Sequence, residues 1–133
     1  MPDAPHLTDL QSAIMRVLWD RGEATVADIH AALQPERGLA LTTIATMLSR
    51  LEKRGIVKHR TQSRQYVYYP KVSERDVRRS MVADLTERLF DGDVTELVSH
   101  LLNAREMSPG DLERVKDLIA SHEARPEASH EDR

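Results

Sequence analysis

Residues 41–69 read LTTIATMLSRLEKRG followed by IVKHRTQSRQYVYY, and this stretch decides the fold. Ile44, Met47, Leu48 and Leu51 recur at steps of three and four, which sets them on one apolar stripe of a helix starting near Thr42. Gly55 stands where such a helix takes its C-terminal cap. Ile56 to Thr61 and Gln65 to Tyr69 are rich in Val, Ile, Thr and Tyr and favour two strands, with Gln62, Ser63 and Arg64 as the tip between them. A polar-faced helix that runs straight into a basic-tipped hairpin is how a winged helix-turn-helix presents itself to DNA. The helix enters the major groove and the hairpin, the wing, lies along the phosphates.

The outer face of that helix supports the same reading. Thr43, Thr46 and Arg50 share one side, flanked by Thr42, Ala45 and Ser49. Small hydroxyl and methyl groups allow close approach to base edges, and an arginine reaches a guanine edge or a phosphate. Threonine is a mediocre helix former, so a face holding three of them needs a reason. In isolation the pattern would describe any solvated helix face; the wing that follows it turns the expectation to DNA. Lys53, Lys58, Arg60 and Arg64 carry the basic character from the helix end onto the hairpin, although charges there also protect an exposed sheet edge from aggregation. Tyr66, Tyr68 and Tyr69 are expected to pack on the domain by strand alternation rather than to stack on bases. Trp19 is expected in the core or an interface.

The net charge of the 133 residues, -3, hides an asymmetry. Residues 1–80 carry 13 Lys+Arg against 9 Asp+Glu, and residues 81–133 carry 6 against 13. A DNA reader needs a basic face, not a basic total. With no cysteine, disulfides, thiolate metal sites and cysteine catalysis are excluded, and the composition suits a reducing cytoplasm. The six histidines show no metal-ligand spacing, so no metal or other cofactor is expected, nor is any enzyme constellation legible. No apolar run approaches the roughly 20 residues of a membrane span, and MPDAPHLTDL lacks the features of a signal peptide.

Outward from the central stretch, Thr8 with Gln11 opens a first helix that closes at Gly22, and Thr25 with Asp28 opens a second, which Pro35 is expected to stop. Residues 34–40 then read as a turn, and a short third strand at 23–25 is compatible with the pattern. Ser73 with Asp76 starts a long helix to about Phe90, Gly92 breaks it, a short helix carries Val94 to Leu102, and Ser108-Pro109-Gly110-Asp111 is a strong helix start. The tail from 122 has no apolar periodicity and is expected to be disordered. The domain expectation is therefore a winged-helix DNA-binding domain over 1–71, a helical dimerisation region over 72–121 and a tail over 122–133. The fold class is mainly α with a small β-hairpin. Met81, Leu85, Leu89, Leu97, Val98, Leu101, Val115 and Ile119 are more apolar positions than a small helical unit buries alone, which points to a symmetric dimer.

IMRVLWDRG, TVADIHAAL, LTTIATMLSRLEKRGIVKHR and RQYVYYP resemble the penicillinase-repressor family (the BlaI/MecI/CopY type), in order and spacing, from about Thr8 to Leu118. The resemblance implies a homodimeric repressor that blocks a promoter by binding a palindromic double-stranded DNA operator. By position it assigns Thr42, Thr43, Ala45, Thr46 and Arg50 to the major groove and Arg64 with its neighbours to the wing tip. Lys53 and Arg60 complete the DNA-binding set. Some members carry a strongly basic residue where this chain has Thr42 or Ala45, so operator preference is expected to differ. Copper-responsive members have a C-terminal cysteine cluster that is missing here. Beta-lactam-responsive members are derepressed when a membrane metalloprotease sensor, encoded nearby, cuts between Asn and Phe. The corresponding place here is Asn103-Ala104, without the large aromatic.

Overall fold

Thr8 Oγ1 accepts the Gln11 N–H at 3.3 Å while Gln11 Oε1 accepts the Thr8 N–H at 3.1 Å, and this reciprocal cap starts helix α1 (Asp9–Arg21). The structure is a computed structural model describing residues 6–104 and 107–124. A two-residue strand β1 (Ala24–Thr25) leads into α2 (Val26–Arg37), capped by the same device between Thr25 and Asp28 at 3.1 Å each way. Pro35 is expected to stop α2, but the helix continues to Arg37. Proline there forfeits one hydrogen bond in a final turn. The stop comes at Gly38, which takes the left-handed backbone (φ 57) and donates its N–H to Gln34 O at 3.0 Å.

Helix α3 (Leu41–Lys53) ends through two capping bonds, Ile56 N–H to Leu51 O at 3.0 Å and Gly55 N–H to Glu52 O at 2.9 Å, with Gly55 at φ 79. Ile56 is thereby spent on the cap and buried, so strand β2 begins one residue later than expected (Val57–Gln62) and pairs antiparallel with β3 (Gln65–Pro70). Gln62 belongs to the strand, opposite Gln65, which leaves only Ser63 and Arg64 in the turn. Both have positive φ, 51 and 65, the requirement of a type I′ hairpin turn. β1 pairs with the other edge of β3 through Ala24 opposite Tyr68 and Thr25 opposite Val67, giving the order β1-β3-β2.

Ile14, Met15, Leu18, Ile29, Leu33, Ile44, Leu48, Leu51, Val57 and Tyr68 form one core under these elements. Val77, at the start of α4 (Glu74–Phe90), is buried in the same core; Val72 and Met81 pack against it, and Trp19 Nε1 donates to Val72 O at 3.0 Å. The first compact unit accordingly ends at Asp84, within α4, and not at residue 71. The Ser73 cap marks where a helix starts, which is not where the core stops. Met81, expected in a dimer contact, is half-buried against this core.

The second unit begins at Leu85. Asp93 accepts the Glu96 N–H to start α5 (Val94–Asn103), and Ser108 and Asp111 cap α6 (Pro109–Ala124) reciprocally. Hydrogen bonds from Ser108 hold the Asp111 carboxyl below its ordinary value. α6 covers 122–124, which are expected in the tail; residues 125–133 lie outside the described residues. Neither α5 nor α6 has a buried residue. Leu89 is 70% exposed, Leu118 60%, and Leu85, Val98, Leu101, Leu102, Leu112 and Ile119 are also open. Leu97 and Val115 are half-buried. No described helix is long and apolar enough to cross a membrane.

Candidate nucleic-acid interface

Burial orients α3. Ile44, Leu48 and Leu51 are fully buried, so the opposite side carries Thr42, Thr46, Ser49, Arg50 and Lys53 outward, with Thr43 and Ala45 half-buried at its flanks. The seven α3 positions singled out from the sequence thus share one surface. Leu41 opens the helix 49% exposed beside Thr42, and its residue type does not mark it, since an apolar residue next to an apolar stripe gives no signal that it faces out. Ala40 offers α3 no side-chain cap, and its first turn holds no acid. The positive end of the helix dipole is therefore left uncompensated, unlike that of α2, where the bonds from Thr25 keep the Asp28 carboxyl below its ordinary value.

Among the described residues, Arg50, Lys53, Lys58 and Arg64 make no side-chain hydrogen bond or ion pair, and all four are exposed. Arg60 differs. Its guanidinium grips both carboxylate oxygens of Glu23 at 2.7 and 2.8 Å and also donates to Gln62 at 2.7 Å. The sequence grouped Arg60 with the free cations; pairing across 37 positions of sequence was not legible there. Arg54 is also engaged, donating to the His6 carbonyl at 2.7 Å.

On the wing, Tyr68 is buried as expected, and burial pushes its hydroxyl above the ordinary value, so it stays protonated. Tyr66 is 51% exposed and stacks on His59, ring centroids 3.8 Å apart and 16° from parallel. His59 Nδ1 in turn lies 2.8 and 2.9 Å from the Glu52 carboxylate of α3. Sequence reasoning gave this contact no role. Among the described residues no group of three His, Cys, Asp or Glu could hold a metal ion. What the surface offers a ligand is hydroxyl and guanidinium donors, methyl groups and unpaired positive charge, the chemistry that duplex DNA accepts.

A family model described as penicillinase repressor matches residues 7–121. The chain is 24% identical to the penicillinase repressor of Bacillus licheniformis over 94% of this chain and 98% of that one. It is 22% identical to the methicillin resistance regulatory protein MecI of Mammaliicoccus sciuri, over 86% and 93%. Among solved structures it is similar to the DNA-binding domain of the repressor BlaI, with 30% identity, a TM-score of 0.51 and coverage of 57% of this chain and 93% of that one. It also shares the fold of hsRosR-S4 at a TM-score of 0.54, with 20% identity over 93% and 96%. With its winged fold, its outward hydroxyl and cation surface and a match over most of its length, the chain belongs to the penicillinase repressor family of DNA-binding transcriptional repressors, which are not enzymes.

Proposed function

We propose that the chain represses transcription as a homodimer that lays two copies of α3 in successive major grooves of a palindromic operator and so excludes polymerase. The observation that carries this reading is that α3 turns Thr42, Thr46, Arg50 and Lys53 outward and leads directly into a wing whose Lys58 and Arg64 are exposed and unpaired among the described residues. Thr43 and Ala45 stand at its edge, within reach of thymine methyls. Arg60 contributes by holding β2 to Glu23, and it reaches phosphate only by giving up that exposed pair, which is worth less than about 1 kcal/mol. Winged-helix DNA binding belongs to residues 1–71 with the start of α4, and self-association to the remainder.

The open apolar side chains of α4, α5 and α6 supply the dimer surface: Leu85, Leu89, Leu97, Val98, Leu101, Val115 and Ile119. Two tethered readers bind with an effective-concentration advantage that a monomer lacks. Derepression is loss of the dimer. Asn103 ends α5 and Ala104 follows with extended backbone (φ -76, ψ 148), so the bond lies at a helix end, where opening costs less than in a helix interior, and a cut there detaches α6 and its share of the surface. A membrane metalloprotease sensor encoded nearby would make that cut. The test uses the duplex that the full chain selects from a randomised library. Sedimentation should find a dimer at micromolar protein and two half-sites about 34–36 Å apart or a multiple of that. A monomer that binds a single half-site equally well sinks the reading.

A further inference from the structure

Glu52 is the only carboxylate in α3, and its charge is wrong for its place. It sits in the last turn, where the helix dipole favours cations, and it points away from the side that carries Arg50. Its contact is what accounts for it. Both of its oxygens lie within hydrogen-bond distance of His59 Nδ1 on β2, at 2.9 and 2.8 Å, and the Tyr66 ring of β3 stacks on the face of the His59 ring with centroids 3.8 Å apart. Helix and wing also share the Gly55 turn and the core that Leu51, Ile56, Val57 and Tyr68 enter, and β1 pairs with β3; Glu52–His59 adds a polar contact made directly between α3 and β2.

We propose that Glu52 and His59 are positioning residues for operator recognition. Their contact, braced by Tyr66, sets the angle between α3 and the wing so that base edges and flanking phosphates are engaged together. The proposal rests on α3 being the reading helix, as proposed for the function. Neither residue need touch DNA; the pair acts through Thr46 and Arg50 on one side and Arg64 on the other. Glu52 and His59 are both half-buried, at 31% and 27% side-chain exposure, so solvent screens their contact less than it would a fully exposed pair.

The experiment compares full-length Glu52→Ala, Glu52→Gln, His59→Ala and Arg50→Ala with the unaltered chain. Fluorescence anisotropy measures affinity for the library-selected duplex and for a shuffled one. Glu52→Ala and His59→Ala should lower the ratio of the two affinities about tenfold, an ordinary size for a coupled pair, while Glu52→Gln, which keeps an acceptor for a Nδ1–H, stays within about twofold. Simple electrostatics predicts the opposite, since deleting a carboxylate beside phosphates tightens both duplexes and leaves the ratio alone. An unchanged or higher ratio in Glu52→Ala therefore overturns the proposal. If Arg50→Ala lowers the ratio in that case, only the positioning role falls. If Arg50→Ala changes nothing either, the reading of α3 falls and the positioning role with it. The ratio does not depend on the active fraction, so a partly unfolded variant still reports.

Discussion

Replacing Arg64 by glycine should make the protein more stable and a poorer DNA binder at once. Arg64 is the second residue of the wing turn and holds φ 65, with Ser63 before it at φ 51. A left-handed backbone costs an L-residue with a Cβ about 1–2 kcal/mol, which glycine does not incur, although glycine loses more backbone freedom on folding, about 0.5–1 kcal/mol. The balance is a gain between zero and about 1.5 kcal/mol, and each kcal/mol raises the melting point of a unit of this size by roughly 4–8 °C. Arg64 has no partner among the described residues, so removing its side chain breaks no hydrogen bond or ion pair there. The binding cost follows from charge. Each protomer gives up one phosphate, and the slope of log affinity against log salt should become shallower by about 0.9 per protomer. Arg64→Ala is the control: it removes the same charge but keeps the left-handed cost, so it shares the shallower slope without the higher melting point. Scanning calorimetry and a salt titration against selected and shuffled duplexes decide the matter. An Arg64→Gly protein that melts lower, or whose salt slope matches the unaltered chain, refutes the reasoning.

Thr46→Ala and Arg50→Ala should leave the melting point nearly unchanged, since both side chains are exposed, and should weaken binding to the selected duplex by about 1–3 kcal/mol for each base edge no longer read; normal binding by both would remove α3 from the reading. A chain ending after Lys71 should melt well below one ending after Asp84, because it forgoes the burial of Val77 and the carbonyl that accepts from Trp19, at about 1.5–3 kcal/mol for a fully buried side chain; equal melting points would put the domain edge at residue 71 after all. Leu101→Asp should shift sedimentation toward monomer and lower affinity for the full palindrome more than for a half-site, whereas an unaffected dimer would locate the interface elsewhere. Acid should weaken the caps of α2 and α6. The Asp28 and Asp111 carboxyls are lowered by their partners, so the stability they contribute is complete above the unfolded value of about 3.9 and is lost as pH falls through the lower folded values. Asp28→Asn should flatten that loss in an acid titration followed by circular dichroism, and an unchanged profile would discount the cap.

Local chemistry carried most of this protein's outline in the sequence itself. Thr8, Thr25, Ser73 and Ser108 mark helix starts because a side-chain oxygen three residues before a free N–H acts without help from distant parts of the chain. The apolar stripe of α3 predicted which of its faces is buried, and so which faces out, since period and burial are linked. The same locality explains the misses. Pro35 read as a stop because its cost is local, but the end of α2 waited for a residue able to turn left-handed, Gly38. Only tertiary structure joined Val72, Val77 and Met81 to the winged-helix core, bound Arg60 to Glu23 and laid Glu52 against His59. Each of those depends on which strands pair and how far the turn between them reaches, and no periodicity encodes that. Residue types and spacing determine that a cation or an apolar face exists; the packed backbone decides whether it is spent inside the molecule or left for a partner.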